Sequence, residues 1–455
     1  MPLPAPAVPL SLPDLSGLAN DRPWLLLDAA AGSDRVHGFL IAGVRRALDI
    51  AEADPAAFDR IAGFVGAASG RCFGWIGYDQ LRAHPLLDLP DQPEVAVPLP
   101  VAHWVEPQGA LAFHGCGPEA TVDWLVRPEP ALAQRMENAV REGRRPLEDA
   151  EPHSTIPDAG TSGLNRGHYR DAFDRVHAHI LRGDVYELNL CREIHGALPG
   201  GWCPEVAFNR LTLKTSAPFS ARLHWNGVDI LCASPERFLR REGDRLISQP
   251  IKGTAPRDPD PNRDAALAEA LRADPKERAE NVMITDLVRN DLSQVARPAS
   301  VEVEELCGIH SFRNVHQMIS TVTCTVREDQ GFADILRAAF PMGSMTGAPK
   351  IRAMEITAEV EPVRRGLYSG AIGWADPDGK DGVGDFDLNV VIRTALANRD
   401  TRRWSVHVGG AITALAESDA EWQETRLKAR AVLEALGVWE VEEAPESATL
   451  SADGR

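Results

Sequence analysis

One short segment carries the decisive lysine of the chain: Pro250-Ile251-Lys252-Gly253-Thr254-Ala255-Pro256-Arg257. It follows a strand-like run at residues 245–248 and precedes a polar loop at 258–263 that opens into a helical pattern. A proline near each end restricts the backbone, and Gly253 lets the chain come close to a ligand. We therefore predict a rigid turn that presents one amine, Lys252. Taken alone, these residues are more typical of a surface turn with a solvated lysine.

The composition is that of an ordinary globular protein. The chain has 455 residues, of which 44% are hydrophobic and 25% are charged, and this length suggests one to three domains. Its formal net charge of −18 argues against nucleic acid or an anionic membrane as the main partner. A small anionic substrate remains compatible with that charge if the site itself carries positive groups.

The cysteines and the N-terminus both indicate a cytoplasmic protein. Seven cysteines are scattered without a CxxC pair or a pairing rhythm, which is typical of reduced thiols and not of a disulfide framework or a zinc site. Residues 1–12 are broken by prolines and lack the basic start of a signal peptide. No apolar stretch approaches the length that spans a bilayer.

The order of patterns predicts the domain organisation and the fold class. We expect a strand-rich N-terminal subdomain at 1–145, a proline- and acid-rich linker at 146–165, a catalytic domain at 166–437 and a disordered tail at 438–455. Strands and helices alternate irregularly, and neither GxGxxG nor GxxxxGK[ST] is present. We therefore predict an α+β fold with large, mainly antiparallel sheets, and not a doubly wound nucleotide fold.

Two pairs of glutamates have helical spacing. Glu277 and Glu280 lie three residues apart on a predicted long helix, and Glu421 and Glu424 repeat this spacing on the last helix. Each pair projects from one helix face and is most often simply solvated. If the two pairs face each other, their oxygens suit Mg²⁺.

Three further side chains each have a functional and a structural interpretation. Glu236 follows a predicted strand in a short turn, where a carboxyl group is either a general acid or a salt-bridged cap. His316 lies in an apolar run, which is typical of a core histidine. Arg393 lies among β-branched residues of a predicted strand, so it needs an anion, supplied by a ligand carboxylate or by a structural salt bridge.

Five motifs occur in an order that resembles the chorismate-utilising enzymes, and the resemblance covers residues 165–436, with a looser match at 74–79. This family includes component I of anthranilate synthase and of aminodeoxychorismate synthase, and the isochorismate and salicylate synthases. The resemblance implies an α/β sandwich of two sheets, with helices outside and the active site between the sheets. The five motifs lie at 234–238, 250–254, 279–291, 343–350 and 421–428.

The resemblance also implies a ligand set. Glu280 and Glu424 would hold Mg²⁺, with Glu277 and Glu421 nearby or bridged by water, and the metal would bind the ring carboxylate of chorismate. Arg393 and Tyr368 would bind the enolpyruvyl carboxylate. The other implied contacts are the backbone of Gly409, Gly410 and Ala411, together with Gly253, Thr254 and Lys428. Ala411 stands where family members commonly have glycine, which departs slightly from the family pattern.

Within the family, the resemblance is nearest to component I of aminodeoxychorismate synthase. Glu236 resembles the acid that protonates the leaving C4 oxygen, and His316 resembles a histidine with a supporting acid–base or orienting role. Lys252 stands where anthranilate synthases typically have alanine, so it is expected to add to C2 before ammonia attacks C4 and expels it. The amine must be neutral, and we expect burial near Mg²⁺ and other cations to lower its pKa.

The expected product is 4-amino-4-deoxychorismate, on the branch to 4-aminobenzoate and folate. No glutaminase or lyase motif is recognised, so we expect ammonia from a separate glutamine amidotransferase subunit and a separate downstream lyase. Glu187 stands where isochorismate-forming members carry a lysine base, which counts against isochorismate or salicylate synthesis. An anthranilate synthase-like enzyme, a non-catalytic regulatory homologue, and a tryptophan pocket near residues 25–28 and 216–219 remain open.

Overall fold

The computed structural model describes residues 17–18, 23–27, 36–114, 121–143, 161–162, 165–215, 217–377 and 382–438. Within these residues the chain forms 19 strands and nine α-helices. The strands are β1 (Trp24–Leu27), β2 (Val36–Ile50), β3 (Cys72–Ile76), β4 (Ala102–His114), β5 (Thr121–Val126), β6 (Thr161–Ser162), β7 (Glu187–Ala197), β8 (Phe219–Trp225), β9 (Val228–Ser234), β10 (Arg237–Glu242), β11 (Arg245–Gln249), β12 (Ile251–Pro256), β13 (Glu302–Ser311), β14 (Val315–Thr325), β15 (Gly347–Ala348), β16 (Ala371–Ala375), β17 (Phe386–Val390), β18 (Thr394–Asn398) and β19 (Arg403–Ile412). The helices are α1 (Ala57–Gly66), α2 (Pro130–Gly143), α3 (Arg166–Arg182), α4 (Pro204–Thr215), α5 (Pro261–Ala273), α6 (Pro275–Ser293), α7 (Phe332–Ala339), α8 (Lys350–Val360) and α9 (Ser418–Leu436).

All paired strands are antiparallel, and they form one hydrogen-bonded network that we divide into two leaves. The first leaf has the order β7–β19–β18–β9–β8–β1–β2, with the short strands β6 and β15 beside β7. The second leaf has the order β4–β3–β16–β17–β10–β11–β14, with β5 on β4 and with β12 and β13 on β14. The long β2–β4 pair joins the leaves.

The hydrophobic clusters show that the leaves pack face to face with helices outside. One buried cluster joins β1 and β9 of the first leaf to β3 and β16 of the second, through side chains such as Trp24, Ile230, Trp75 and Ile372. A second cluster packs α4 and α9 on the outside of the first leaf, and a third packs α1, α6 and α7 on the second. The predicted α+β class with two antiparallel sheets and outer helices is confirmed.

The predicted long helix after the lysine segment is two helices, because Asp274 interrupts it. The Asp274 side chain accepts hydrogen bonds from the backbone N–H groups of Lys276 and Glu277, and Pro275 occupies the first helical position. A capping side chain followed by proline is a strong start signal for a helix. The break begins α6 at Pro275, so that Glu277 lies in its first turn and Glu280 in the next, and it fixes the direction in which they project.

The lysine segment is a strand with a local irregularity, and not the predicted turn. Ile251 pairs with Ile319 and Thr254 with Gln317, but the register shifts between these two pairs. Gly253 lies at the shift with a φ of +84°, and a Cβ there would come within 3.0 Å of the Glu277 carboxylate. Only glycine fits that conformation readily. The irregularity is what turns Lys252 out of the ladder.

The strand predicted around Arg393 is also interrupted. β17 ends at Val390 and β18 begins at Thr394, and Arg393 lies between them with a φ of +52°. A left-handed arginine is uncommon, and such residues cluster at functional sites. Here the kink aims the side chain at the space between the leaves.

Most of the predicted linker, and residues 439–455 of the predicted tail, lie outside the described residues. The boundary at residue 145 is therefore still a prediction. Among the described helices, none is long and apolar enough to cross a membrane.

Candidate active site

A cavity of about 660 Å³ opens between the leaves, and we call it the main cavity. It is lined by residues from β12, β14 and α6 on one side and from β19 and α9 on the other. Most of the residues selected from the sequence line it: Glu236, Lys252, Gly253, Thr254, Glu277, Glu280, Tyr368, Arg393, Gly409, Ala411, Glu421, Glu424 and Lys428. Gly410 does not line the main cavity, but its Cα faces Glu421. A Cβ atom added to Gly410 would lie 3.1 Å from Oε2 of Glu421.

Lys252 is held by the carboxylate of Glu187, a partner that could not be assigned to it from the sequence. Its Nζ donates to Oε1 of Glu187 at 2.7 Å, and Glu280 lies 4.0 Å away. Burial lowers the pKa of the amine, but Glu187 and Glu280 outweigh burial and raise the pKa above its usual value. The structure therefore gives the opposite direction to the predicted lowering, because two acidic side chains surround an amine expected to sit among cations.

Glu236 has the environment of a carboxylic acid that stays protonated near neutral pH. Its side chain is buried, and Ser344 Oγ donates to its Oε1 at 2.6 Å. Burial raises its pKa to about 7, although the hydrogen bond from Ser344 and the charge of Lys252 partly oppose the rise. A carboxyl group with such a pKa can donate a proton at physiological pH.

The two glutamate pairs face each other across the main cavity, as the metal hypothesis requires. Lys276 lies between them, with its Nζ 3.9 Å from Glu280 and 3.6 Å from Glu421. Burial raises the pKa of Glu280 to about 7 and also raises the pKa of Glu277 and Glu421. Glu424 differs, because Lys428 at 2.5 Å overcomes burial and lowers its pKa.

The donor set fits a hard cation, although no metal site is already assembled. Oε2 of Glu421 is buried and has no hydrogen-bond partner among the described residues. Clustered, desolvated carboxylates are the ligands that Mg²⁺ prefers. In the part of the chain that the structure describes, no three His, Cys, Asp or Glu side chains form a ready metal-holding group. The bound metal therefore remains a prediction.

The opposite wall of the main cavity offers positive charge and backbone groups. Arg393 is half-buried, and burial lowers the pKa of its guanidinium although Tyr368 and Glu424 partly oppose this; its side chain has no hydrogen bond or ion pair to another described residue. Tyr368 lies beside it and stacks on His407, with ring centroids 5.5 Å apart. Lys428 donates to the carbonyl of Gly409 at 3.0 Å. A half-buried guanidinium without a hydrogen-bonded partner is a ready partner for a carboxylate ligand.

His316 does not reach the main cavity. Its ring is buried on the other face of β14, where Nε2 lies 2.9 Å from Asp264 and Nδ1 lies 2.8 Å from Ser311 Oγ. Side chains alternate along a strand, so the neighbouring Gln317 faces the cavity instead. The buried Oε1 of Gln317 has no hydrogen-bond partner among the described residues. The predicted catalytic role of His316 is therefore not supported by its position.

Several residues in or beside the main cavity could not be given their role there from the sequence. Glu187 and Asn189 lie two apart on β7, a spacing that places them on one strand face, but nothing nearby in sequence pairs Glu187 with a lysine 65 residues away. Ser344 lies within the 343–350 motif and could have been selected from it. His407 lines the cavity from β19, and burial lowers its pKa to about 4.

A separate cavity of about 40 Å³ lies near the region proposed for tryptophan. It is lined by Leu26, Phe39, Phe219 and Trp374, among others. Residues 28 and 216, which the hypothesis also used, lie outside the described residues. Tryptophan binding stays a prediction.

Comparison with known protein families gives a match to the chorismate-binding enzymes over residues 30–434. The chain belongs to this family. The match includes the N-terminal strands, so the chorismate-binding unit is larger than the 165–436 segment in which the motifs were recognised.

Among curated relatives in this chorismate-binding family, aminodeoxychorismate synthase component 1 of Klebsiella aerogenes is 41% identical over 288 residues, which is 62% of this chain and 60% of that protein. The same component of Salmonella typhimurium is 36% identical and covers 81% of this chain and 77% of its own length. An anthranilate synthase component 1 of Haloarcula marismortui is also 36% identical, over 80% of this chain and 75% of that protein.

Solved structures confirm the fold of this chorismate-binding enzyme. Anthranilate synthase component I from Streptococcus pneumoniae superposes with a TM-score of 0.71 at 23% identity, covering 87% of this chain and 91% of that one. The menaquinone-specific isochorismate synthase from Escherichia coli superposes with a TM-score of 0.68 at 18% identity, covering 96% and 92%.

Proposed function

We propose that this chorismate-binding enzyme aminates chorismate at C4 to give 4-amino-4-deoxychorismate, as an aminotransferring synthase component. The observation that carries the proposal is the pairing, in one cavity, of a buried lysine amine with a buried carboxyl group whose pKa is about 7. The names of the relatives from Klebsiella aerogenes and Salmonella typhimurium support the same reaction.

In the first half of the proposed reaction, Lys252 adds to C2 while the C4 hydroxyl leaves. The C2–N bond forms, the ring double bonds C1–C2 and C5–C6 shift to C1–C6 and C4–C5, and the C4–O bond breaks. Glu236 gives its proton to the departing oxygen, which leaves as water. Nζ must first lose a proton, and Glu187 Oε1 at 2.7 Å is within reach to accept it.

In the second half, ammonia attacks C4 and the double bonds shift back to C1–C2 and C5–C6 as the C2–N bond to Lys252 breaks. Chorismate and ammonia thus give the amino product and one water molecule. Attack by an enzyme amine at C2 is what directs the final amine to C4. The enolpyruvyl group stays on the product, which a separate lyase would convert to 4-aminobenzoate for folate.

Binding is assigned to the two walls of the main cavity. Arg393 and Tyr368 take the enolpyruvyl carboxylate. Glu280 and Glu424 would hold Mg²⁺, with Glu277 and Glu421 nearby, and the ion would supply positive charge to the ring carboxylate. Lys276, which now lies between the glutamates, would have to move away from them or pair with the ligand.

The source of ammonia is proposed to be a partner protein. The relatives are named as component 1, which indicates a second component in those enzymes. We infer a glutamine amidotransferase subunit here, with free ammonium as its substitute in vitro.

Product analysis with chorismate, Mg²⁺ and ammonium tests the proposal. We expect wild-type protein to form 4-amino-4-deoxychorismate without releasing pyruvate, and we expect Lys252→Ala to lose that product or to aminate C2. Lys214→Ala, on the surface of α4, serves as the matched control and should behave as wild type. Formation of anthranilate and pyruvate by wild type would show that Lys252 is not a nucleophile.

Anthranilate synthesis is the second candidate, and one observation favours it. The Haloarcula marismortui relative carries that name and is as identical as the Salmonella typhimurium one over a similar share of the chain. The same assay separates the two reactions, because only anthranilate formation releases pyruvate. Turnover of chorismate by either route excludes a purely regulatory homologue.

A further inference from the structure

Behind Glu236 lies a small second space, which we call the rear cavity. Its volume of about 10 Å³ is near the minimum that can hold one water molecule. Glu236 and Ser344 line both the rear cavity and the main cavity. The rear cavity also has Asp291 of α6 and Ser248 of β11 in its wall, and all four side chains are more than nine-tenths buried.

Asp291 is paired with a lysine that the proposed reaction does not use. Lys350, the first residue of α8, donates from Nζ to Asp291 Oδ2 at 2.6 Å and to the carbonyl of Ala339 at 3.1 Å. The Lys350 side chain keeps 13% of its surface exposed, whereas Asp291 keeps 7%. The pair therefore runs from the edge of solvent to the wall of the rear cavity.

Ser344 provides the connection between the two cavities. Its hydroxyl donates to Glu236 Oε1 at 2.6 Å. A hydroxyl can accept one proton while it donates another, so a water in the rear cavity that donates to Ser344 would complete a chain of hydrogen bonds. Such a chain reaches Glu236 from the side away from the substrate.

We propose that Asp291 and Lys350 form a proton-return path, which reprotonates Glu236 through water in the rear cavity and the hydroxyl of Ser344. The inference rests on the proposed function only in taking Glu236 as the acid that gives its proton to the leaving oxygen. Asp291 and Lys350 touch no reacting atom in this scheme and act through Glu236.

The net result of the path is the transfer of one proton from solvent to Glu236. Protonated Asp291 gives a proton to the water, the water gives one to Ser344, and Ser344 gives its own to the Glu236 carboxylate. Asp291 then regains a proton from the Lys350 ammonium, which takes one from solvent. No electron moves and no bond to carbon changes.

The acidities favour the transfer from Asp291 to Glu236, whereas the transfer from the Lys350 ammonium to the Asp291 carboxylate is uphill, because an ammonium is a weaker acid than a carboxyl group. Burial raises the pKa of Asp291 to about 6, with Lys350 opposing the rise, and burial raises that of Glu236 to about 7. Between Asp291 and Glu236 the proton therefore moves from the stronger acid to the weaker one. The path also works while substrate or product fills the main cavity, when solvent cannot reach Glu236 from the front.

The test is the comparison of the first turnover with later ones. For Asp291→Asn we expect a first turnover at the wild-type rate, followed by a steady state whose kcat is about tenfold or more below wild type. The value of kcat/KM for chorismate should stay within about threefold, because reprotonation follows C4–O cleavage. Increasing imidazole buffer at constant pH and ionic strength should restore kcat by supplying protons through the empty main cavity.

Lys350→Arg is the second variant, since it keeps the charge and the contact with Asp291 but cannot release its proton. It should show the same fast first turnover and slow, buffer-dependent steady state. Asp286→Asn, an exposed change on the same helix, is the matched control and should match wild type. If Asp291→Asn lowers the first turnover as much as kcat, or if Lys350→Arg behaves as wild type, the pair is only structural and the path is overturned.

Failure of the proposed function and failure of the proton-return path give different experimental results. If wild type makes another product from chorismate, the burst comparison still tests the path for that reaction. If Glu236→Gln turns over as wild type, then Glu236 is not the acid, and that result overturns the proposed function and the path together.

Discussion

Lys252 and Glu187 form a buried ion pair at 2.7 Å, with 12% and 2% of their side chains exposed. Removing one partner of such a pair leaves an uncompensated charge, whereas removing both does not. We expect Glu187→Leu to lower the free energy of unfolding by about 3–5 kcal/mol and the double variant Lys252→Met/Glu187→Leu to lower it by clearly less. Urea denaturation of the single and double variants measures this, and additive losses would show that the two side chains are not coupled.

The raised pKa of Glu236 predicts how stability depends on pH. The folded protein holds this proton up to about pH 7, whereas an unfolded glutamate loses it near 4.5. Stability from this group is therefore complete below about pH 4.5 and is lost as the pH rises through 7, by ~3 kcal/mol in all. The difference in unfolding free energy between wild type and Glu236→Gln, followed from pH 4.5 to 8, should shrink by that amount. A difference that is independent of pH would mean that Glu236 ionises normally.

Binding of Mg²⁺ should stabilise the protein even without substrate. A ligand at a hundred times its Kd adds about 2.7 kcal/mol to the unfolding free energy. We expect a concentration-dependent rise of Tm with MgCl₂, measured against KCl of equal ionic strength, and a loss of most of that rise in Glu280→Gln. An equal rise in wild type and Glu280→Gln would place the metal elsewhere.

Replacing Arg393 should weaken substrate binding and strengthen the fold. The guanidinium is half-buried and has no hydrogen-bonded partner among the described residues, so Arg393→Gln should raise Tm. A hydrogen bond between charged groups is worth about 1.5–3 kcal/mol, so KM for chorismate should rise about 10- to 100-fold. Arg289→Gln, exposed on α6, is the control for both measurements. An unchanged KM would remove Arg393 from the binding site.

His316 and Gln317 should respond differently to substitution. His316→Gln breaks hydrogen bonds to Asp264 and Ser311, so it should cost about 1–2 kcal/mol of stability and leave kcat/KM within about threefold. Gln317→Met removes an unpaired oxygen from the cavity wall and should change kcat/KM for chorismate with little loss of stability. Steady-state kinetics and urea denaturation of both variants measure these effects. A large loss of kcat/KM in His316→Gln but not in Gln317→Met would restore the predicted role of the histidine.

The sequence predicted the site better than it predicted the local backbone. Glu236 and Lys252 could be selected because they lie in short family motifs, and Arg393 because an arginine among β-branched residues needs an anion. All three line the main cavity. The error at His316 is one of strand register, since a shift of one residue exchanges the two faces of β14. The turn predicted at Lys252 failed because pairing with β14, more than 60 residues later in the chain, decides that segment. The pairing of Glu187 with Lys252 is likewise set by tertiary structure, which periodicity does not report.

The first leaf can be completed on the ribosome only after β18 and β19 have been synthesised. β9 and β7 emerge early, but their partners lie near the end of the chain, so that Glu193 of β7 meets Ser405 of β19 only across 212 residues. At synthesis rates of about 5–20 residues per second, both strands wait roughly 10–40 s with an open edge. Exposed strand edges invite pairing with other chains. Nascent chains should therefore need to be bound by chaperones until residue 412 has left the exit tunnel. Slower translation of the last third of the chain should lower the yield of active protein.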